Sequence, residues 1–181
     1  MDTTQMEYTA EDLIAHKLQR AEILVAKPKF DTEGADLLGF LCVSDGAKFC
    51  RIQCKGRSLL HSKQAAIDIP KIYVTDGFLC FLFVETNQKE QTNLFCFLGK
   101  EIRYWKSKVI NKTDSYVLHI SPRKLQNEFG PYIFNESRVH EIKKLIMNID
   151  VKGEFRKVLH IYGDLTLPSP TMKGIIDISN P

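Results

Sequence analysis

Gly34-Ala35-Asp36-Leu37-Leu38-Gly39-Phe40 and, past a turn near Asp45-Gly46, Phe49-Cys50-Arg51-Ile52-Gln53-Cys54-Lys55-Gly56-Arg57 form the stretch whose reading decides the fold. Two apolar, strand-like runs flank an Asp-Gly pair, which is the pattern of a β-hairpin. With Asp45 and Gly46 as the central turn residues, Ser44 pairs with Ala47, and counting outward sets Asp36 opposite Lys55 and Leu38 opposite Gln53. Alternation then puts Arg51, Gln53 and Lys55 on one side and Cys50, Ile52 and Cys54 on the other, apolar side. An acid, an amide and a lysine thus share one face.

Outward from the hairpin, the segment 9–21 carries Ala10, Leu13, Ile14, Leu18 and Ala21 at three- and four-residue steps, so it predicts a helix with Thr9 as its N-cap. Glu11 sits at the edge of that buried stripe, where a carboxylate needs a partner or a metal. The plain alternative is that Glu11 and Asp12 simply favour a helix N-terminus. Glu22 to Ala26 predicts a short strand. Downstream, Ser58 to Ala66 reads as a loop or short helical turn and Ile67 to Val74 as an extended segment broken by Pro70.

Phe78-Leu79-Cys80-Phe81-Leu82-Phe83-Val84 is apolar without a gap, which predicts a central strand buried on both faces. Leu94 to Leu98 and Ser115 to Ile120 predict further strands, and Lys100 to Lys106 a helix. A short helix fits Pro122 to Phe129, before the Gly130-Pro131 break. A longer one fits Ser137 to Asn148, capped near Asn135, with Val139, Ile142, Leu145, Ile146 and Ile149 on one face. Residues 150–181, interrupted by Gly153, Gly163, Pro168 and Pro170, read as a tail docked on a domain of residues 1–149.

The 181 residues, 44% hydrophobic, suffice for one core. No apolar run approaches the roughly 18 residues that span a bilayer, and the start of the chain lacks a signal-peptide pattern, so the expectation is a soluble, cytoplasmic protein. Five cysteines with no Cys-x-x-Cys pair read as buried thiols rather than a zinc site through Cys50 and Cys54. Net charge is +3 but uneven: residues 1–99 carry 11 Lys and Arg against 13 Asp and Glu, whereas residues 100–181 carry 14 against 9. That bias suits a polyanion contacted by the second half, and equally an ordinary solvated surface.

A first helix bearing Glu11, a hairpin bearing Asp36 and Gln53-Cys54-Lys55, and then an apolar strand core together resemble the PD-(D/E)xK nuclease superfamily over about residues 10–100. Glu11-Asp12-Leu13-Ile14-Ala15 and Arg51-Ile52-Gln53-Cys54-Lys55-Gly56-Arg57 look like the small bacterial and archaeal members, including resolvase-like and uncharacterised endonuclease domains. The resemblance implies an α/β fold with a restriction-endonuclease-like core, a central mixed β-sheet flanked by helices. It implies Mg²⁺ (or Mn²⁺) held by Asp36, Glu11, the Gln53 amide oxygen and the Cys54 backbone carbonyl, with Lys55 orienting the attacking water and Arg51 and Arg57 contacting phosphate. The superfamily more often has a carboxylate at the Gln53 position, and glutamine occurs in some members.

The expected function is therefore metal-dependent endonucleolytic hydrolysis of DNA, in a homodimer because two strands need two sites. A catalytically inactive nuclease-fold module that binds nucleic acid or a protein partner is the alternative. An ordinary cross-strand ion pair between Asp36 and Lys55 would explain the same residues without chemistry.

Overall fold

In a computed structural model, residues 3–29, 34–44, 46–87 and 93–149 are described. The proposed tail 150–181 lies outside them. The first helix, α1 (Thr3–Arg20), buries Met6, Ala10, Ile14 and Leu18, a four-residue step that continues one turn further toward the N-terminus than expected. Thr9 is therefore an internal helical residue and not the cap. After α1, Glu22 takes a left-handed conformation (φ 61°), and the Ile23 amide reaches back to the Leu18 carbonyl at 3.0 Å, closing the helix end.

Five strands form the main sheet: β1 (Leu24–Ala26), β2 (Leu37–Val43), β3 (Gly46–Ser58), β5 (Phe78–Glu85) and β6 (Leu94–Leu98), in the order β1-β2-β3-β5-β6. Only β3 and β5 run parallel; the other neighbours are antiparallel. The sheet is mixed, as expected. Between β3 and β5 the chain leaves to make β4 (Ala65–Pro70), which joins β8 (Thr113–Ile120) and β7 (Lys106–Ile110) in a second, antiparallel sheet of order β4-β8-β7. Three shorter or later helices complete the described chain: α2 (Gly99–Ile102), α3 (Pro122–Asn127) and α4 (Glu136–Asn148).

The main sheet is covered differently on its two faces. On one, Ala10, Ile14 and Leu18 of α1 and Ile142 and Ile146 of α4 pack on Cys50, Ile52, Cys54, Leu79 and Phe81. On the other, Ile67, Ile69 and Ile120 of the second sheet, with Phe129, pack on Phe78, Cys80, Leu82 and Val84. Alternate residues of β5 enter each cluster, so this strand is buried on both sides, as its unbroken apolar run requires. Two helices, α1 and α4, flank one face; a second sheet covers most of the other, which the resemblance did not imply.

Two expectations need correction. The helix expected over 100–106 stops at Ile102, and Lys106 already starts β7. The reason lies in a tight turn at Asn111 and Lys112, both with positive φ (50° and 66°), the backbone demanded by a two-residue hairpin loop; with no glycine there, the sequence hides it. The opening hairpin is also shifted. Val43 pairs with Gly46 and Leu37 with Ile52, so Gly46 is already paired in β3 and is not a central turn residue. Leu38 thus faces Arg51 rather than Gln53. A slip of two residues preserves the pleat, so the assignment of faces survives.

Candidate active site

Asp36 stands immediately before the first residue of β2. Its amide donates to the Ile52 carbonyl at 2.9 Å, and its Oδ2 accepts from the Cys54 amide at 2.5 Å. Continuing the register by one residue sets Asp36 against Gln53 instead of Lys55, which becomes its diagonal neighbour. Upstream, Gly34 adopts φ +67°, and a Cβ there would lie 2.5 Å from the Tyr73 ring. Only glycine lets the chain pass under Tyr73 at that angle and deliver Asp36 to the strand end.

Gln53 is 6% exposed, and its Oε1 is buried with no hydrogen-bond partner among the described residues. It lies beside Cys80 of β5 on the face away from α1. Lys55, two residues on and half-buried, follows on the same face, and no hydrogen bond or ion pair to another described residue engages its ammonium. Because peptide groups of a strand point the same way at every second residue, the Cys54 amide and carbonyl face the β2 edge, as the Ile52 carbonyl does. The Asp36 carboxylate and the Cys54 carbonyl thus share the corner at this end of the β2–β3 pairing, with Gln53 next to them in the register.

Glu11 approaches the same corner from the other face. Gly56 makes this possible: a Cβ would lie 2.8 Å from Met6 Cγ and 2.9 Å from its carbonyl oxygen, so only glycine lets α1 lie this close to β3. The Glu11 carboxylate forms an ion pair with Lys27, from the segment after β1, and the Lys27 ammonium stands 5.4 Å from the Tyr8 ring centroid. The Glu11 hydrogen bond raises the Lys27 pKa above its ordinary value. Lys27 was not among the residues expected at the site; a lone lysine in a polar loop carries no sequence signal.

The thiols report on the field here. Burial lifts the Cys80 pKa to about 12, with Lys55 pulling it down and Asp36 pushing it up. Burial likewise lifts Cys54 well above the ordinary range, helped by Asp36 and then Glu11. These thiols stay protonated and face the packed interior, so Cys54 offers its carbonyl, not its sulfur. Among the described residues, no three His, Cys, Asp or Glu side chains gather closely enough to hold a metal ion.

The two arginines part company. Arg51 is fully buried; its Nη2 donates to the Tyr73 carbonyl and the Thr75 hydroxyl, each at 3.0 Å, and its guanidinium lies 5.7 Å from the Phe78 ring centroid. Its place is thus inside the protein, between β3 and the segment that precedes β5. Arg57 is half-buried and donates from Nε to the Ala66 carbonyl at 2.9 Å, joining β3 to the second sheet.

No family model matches the sequence, and no curated protein matches it. Solved structures that match it include the following two. One is a bacterial homing endonuclease, I-Ssp6803I, 13% identical with a TM-score of 0.49 over 86% of this chain and 98% of that one. The other is Hjc, a Holliday junction resolvase of Archaeoglobus fulgidus, 8% identical with a TM-score of 0.43 over 74% of this chain and 95% of that one.

Proposed function

We propose that the chain is a metal-dependent endonuclease hydrolysing DNA phosphodiester bonds, of the restriction-endonuclease-like kind, with its centre at Asp36, Gln53, Cys54 and Lys55. The observation that carries this reading is the buried, unpartnered Gln53 Oε1 beside the Asp36 carboxylate. A buried acceptor without a donor is a standing cost of about 1–3 kcal/mol, and a cation would supply what it lacks. The neighbouring donors are all oxygens, the set that suits Mg²⁺ or Mn²⁺. When bound, such an ion polarises the scissile phosphate and lowers the pKa of a coordinated water.

The chain's own groups do the rest. Asp36 is oriented by the Cys54 amide, which donates to its Oδ2. Lys55 orients the attacking water and stabilises the charge that builds on the phosphate. Arg57 holds a flanking phosphate. Glu11 joins the centre only by giving up Lys27, whose ammonium then meets the incoming backbone. Two copies, one for each strand, make the working unit.

The test is cleavage of supercoiled, linear and branched DNA by the purified chain with Mg²⁺ or Mn²⁺. Lys55→Ala and Asp36→Ala should each abolish cutting while leaving the fold intact; a protein that leaves every DNA form whole with both metals sinks the reading. A second reading, a silent nuclease-fold module, is favoured by the Glu11–Lys27 pair and the neutral Gln53, which leave the corner poor in anionic ligands. Its signature is salt-sensitive DNA binding that persists unchanged when metal is removed.

A further inference from the structure

Tyr73 stands over the entry to the candidate active site, and both its ring and its carbonyl are engaged. The ring covers the backbone of Gly34: a Cβ on that residue would come within 2.5 Å of Cδ2, 2.8 Å of Cε2 and 3.2 Å of Cγ. The carbonyl oxygen accepts from Arg51 Nη2 at 3.0 Å and from the Thr75 amide at 3.1 Å. Tyr73 ends a single turn of 3₁₀-helix, Lys71–Tyr73, that starts directly after β4. It is half-buried, at the margin of the cluster between the two sheets.

The segment that follows Tyr73 is wedged in place. Arg51 donates from the same Nη2 to the Thr75 hydroxyl at 3.0 Å, and its own amide donates to the Gly77 carbonyl at 2.9 Å. From another side, a Cβ on Gly99 would lie 2.0 Å from the Thr75 carbonyl oxygen, so the start of α2 is pressed against this segment. The Tyr73 ring therefore cannot retreat from Gly34 without breaking these contacts. Burying a guanidinium costs free energy that a surface turn does not need. Here its hydrogen bonds hold a ring that touches the chain two residues before Asp36.

We infer that Tyr73, held by Arg51, is the positioning residue for Asp36: its ring fixes the direction in which the chain enters β2 and so sets the Asp36 carboxylate against the Cys54 amide. This deepens the nuclease reading, on which it rests for what that carboxylate is positioned to do. The Gly34–Tyr73 contact and the Asp36–Cys54 hydrogen bond stand at the two ends of residues 34–36, with Ala35 buried between them and the Asp36 amide tied to the Ile52 carbonyl. So short a span has no slack, and a shift at Gly34 passes to Asp36. A displacement of about 1 Å at a reacting group can cost on the order of a hundredfold in rate, with no contact to substrate by the residue that caused it.

The Cys54 amide is the direct reporter, because it donates to the Asp36 carboxylate. In a metal chelator, amide hydrogen exchange in Tyr73→Ala should be faster at Cys54 by roughly tenfold and unchanged at Phe81 in the middle of β5, whereas Tyr73→Phe, which keeps the ring, should exchange as the parent does at both. Asp36→Ala should speed exchange at Cys54 in the same way, and adding Tyr73→Ala to it should add nothing further. Unchanged exchange at Cys54 in Tyr73→Ala, an equal acceleration at Phe81, the same loss in Tyr73→Phe, or additive effects in the double variant overturn the inference. In cleavage assays Tyr73→Ala should lower kcat about a hundredfold with KM for DNA unmoved, and a raised KM with kcat intact overturns it too. A parent chain that cuts no DNA defeats the nuclease reading alone, since the exchange measurements still decide whether Tyr73 positions Asp36.

Discussion

Gln53 Oε1 has given up its water on folding and found no donor in exchange. Methionine has nearly the same length and no acceptor to satisfy, so Gln53→Met should raise the free energy of unfolding by about 1–3 kcal/mol in urea titrations. The same variant should lose any rise in melting temperature that Mn²⁺ gives the parent chain. A destabilised Gln53→Met protein would mean that the amide is held by something other than a ligand. Stability given up at a position where function needs an awkward group is a common trade. How this residue came to be legible is instructive. The sequence marks Gln53 through the pattern around Lys55, but not its burial beneath the second sheet; and the wrong turn centre did no harm to its face, because the slip was an even number of residues.

Among the elements, α4 is fastened by charge as well as by its apolar stripe. Arg138 is 4% exposed; its Nε and Nη2 donate to the Cys96 carbonyl at 3.0 and 2.7 Å, and Nη1 to Glu101 and Glu141 at 3.0 and 2.5 Å. Burial lowers the guanidinium pKa, but the Glu101 and Glu141 hydrogen bonds and the neighbouring charges together outweigh it, and the net direction is upward. Arg138→Met should cost about 3 kcal/mol, because it strands Glu101 and a buried carbonyl together. Lys124→Ala, which breaks the exposed pair with Glu128, should change stability by less than about 0.5 kcal/mol. Equal losses in the two variants, by chemical denaturation, would refute the distinction. Nothing in the polar pattern of α4 sets Arg138 apart from its neighbours. Its role is visible only once β6 and α2 are beside it, whereas Asn135, whose side chain accepts from the Arg138 amide at 3.0 Å, is readable as a cap from the letters alone.

For the whole molecule, two clusters meet at β5, and its amides hydrogen-bond β3 on one side and β6 on the other. Native-state hydrogen exchange should therefore find Phe78–Val84 among the slowest amides, while β1, a three-residue edge strand with Leu24 exposed, exchanges far sooner. A reversed order would show that the clusters open independently. Long apolar runs made this strand and its burial predictable. The second sheet was not, since β4 and β7 are short, their polar faces dilute the pattern, and the β4–β8 pairing joins residues far apart in the chain. The one parallel contact of the main sheet carries a further consequence. β3 cannot close against β5 until the chain has travelled out through β4 and returned, so the pairing at the centre of the molecule is also a long loop closure. Folding should accordingly be governed by topology more than by local propensity: α1 and the β2–β3 hairpin can form early on microsecond scales, but the joining of β5 sets the pace in the millisecond-to-second range typical of non-local sheets.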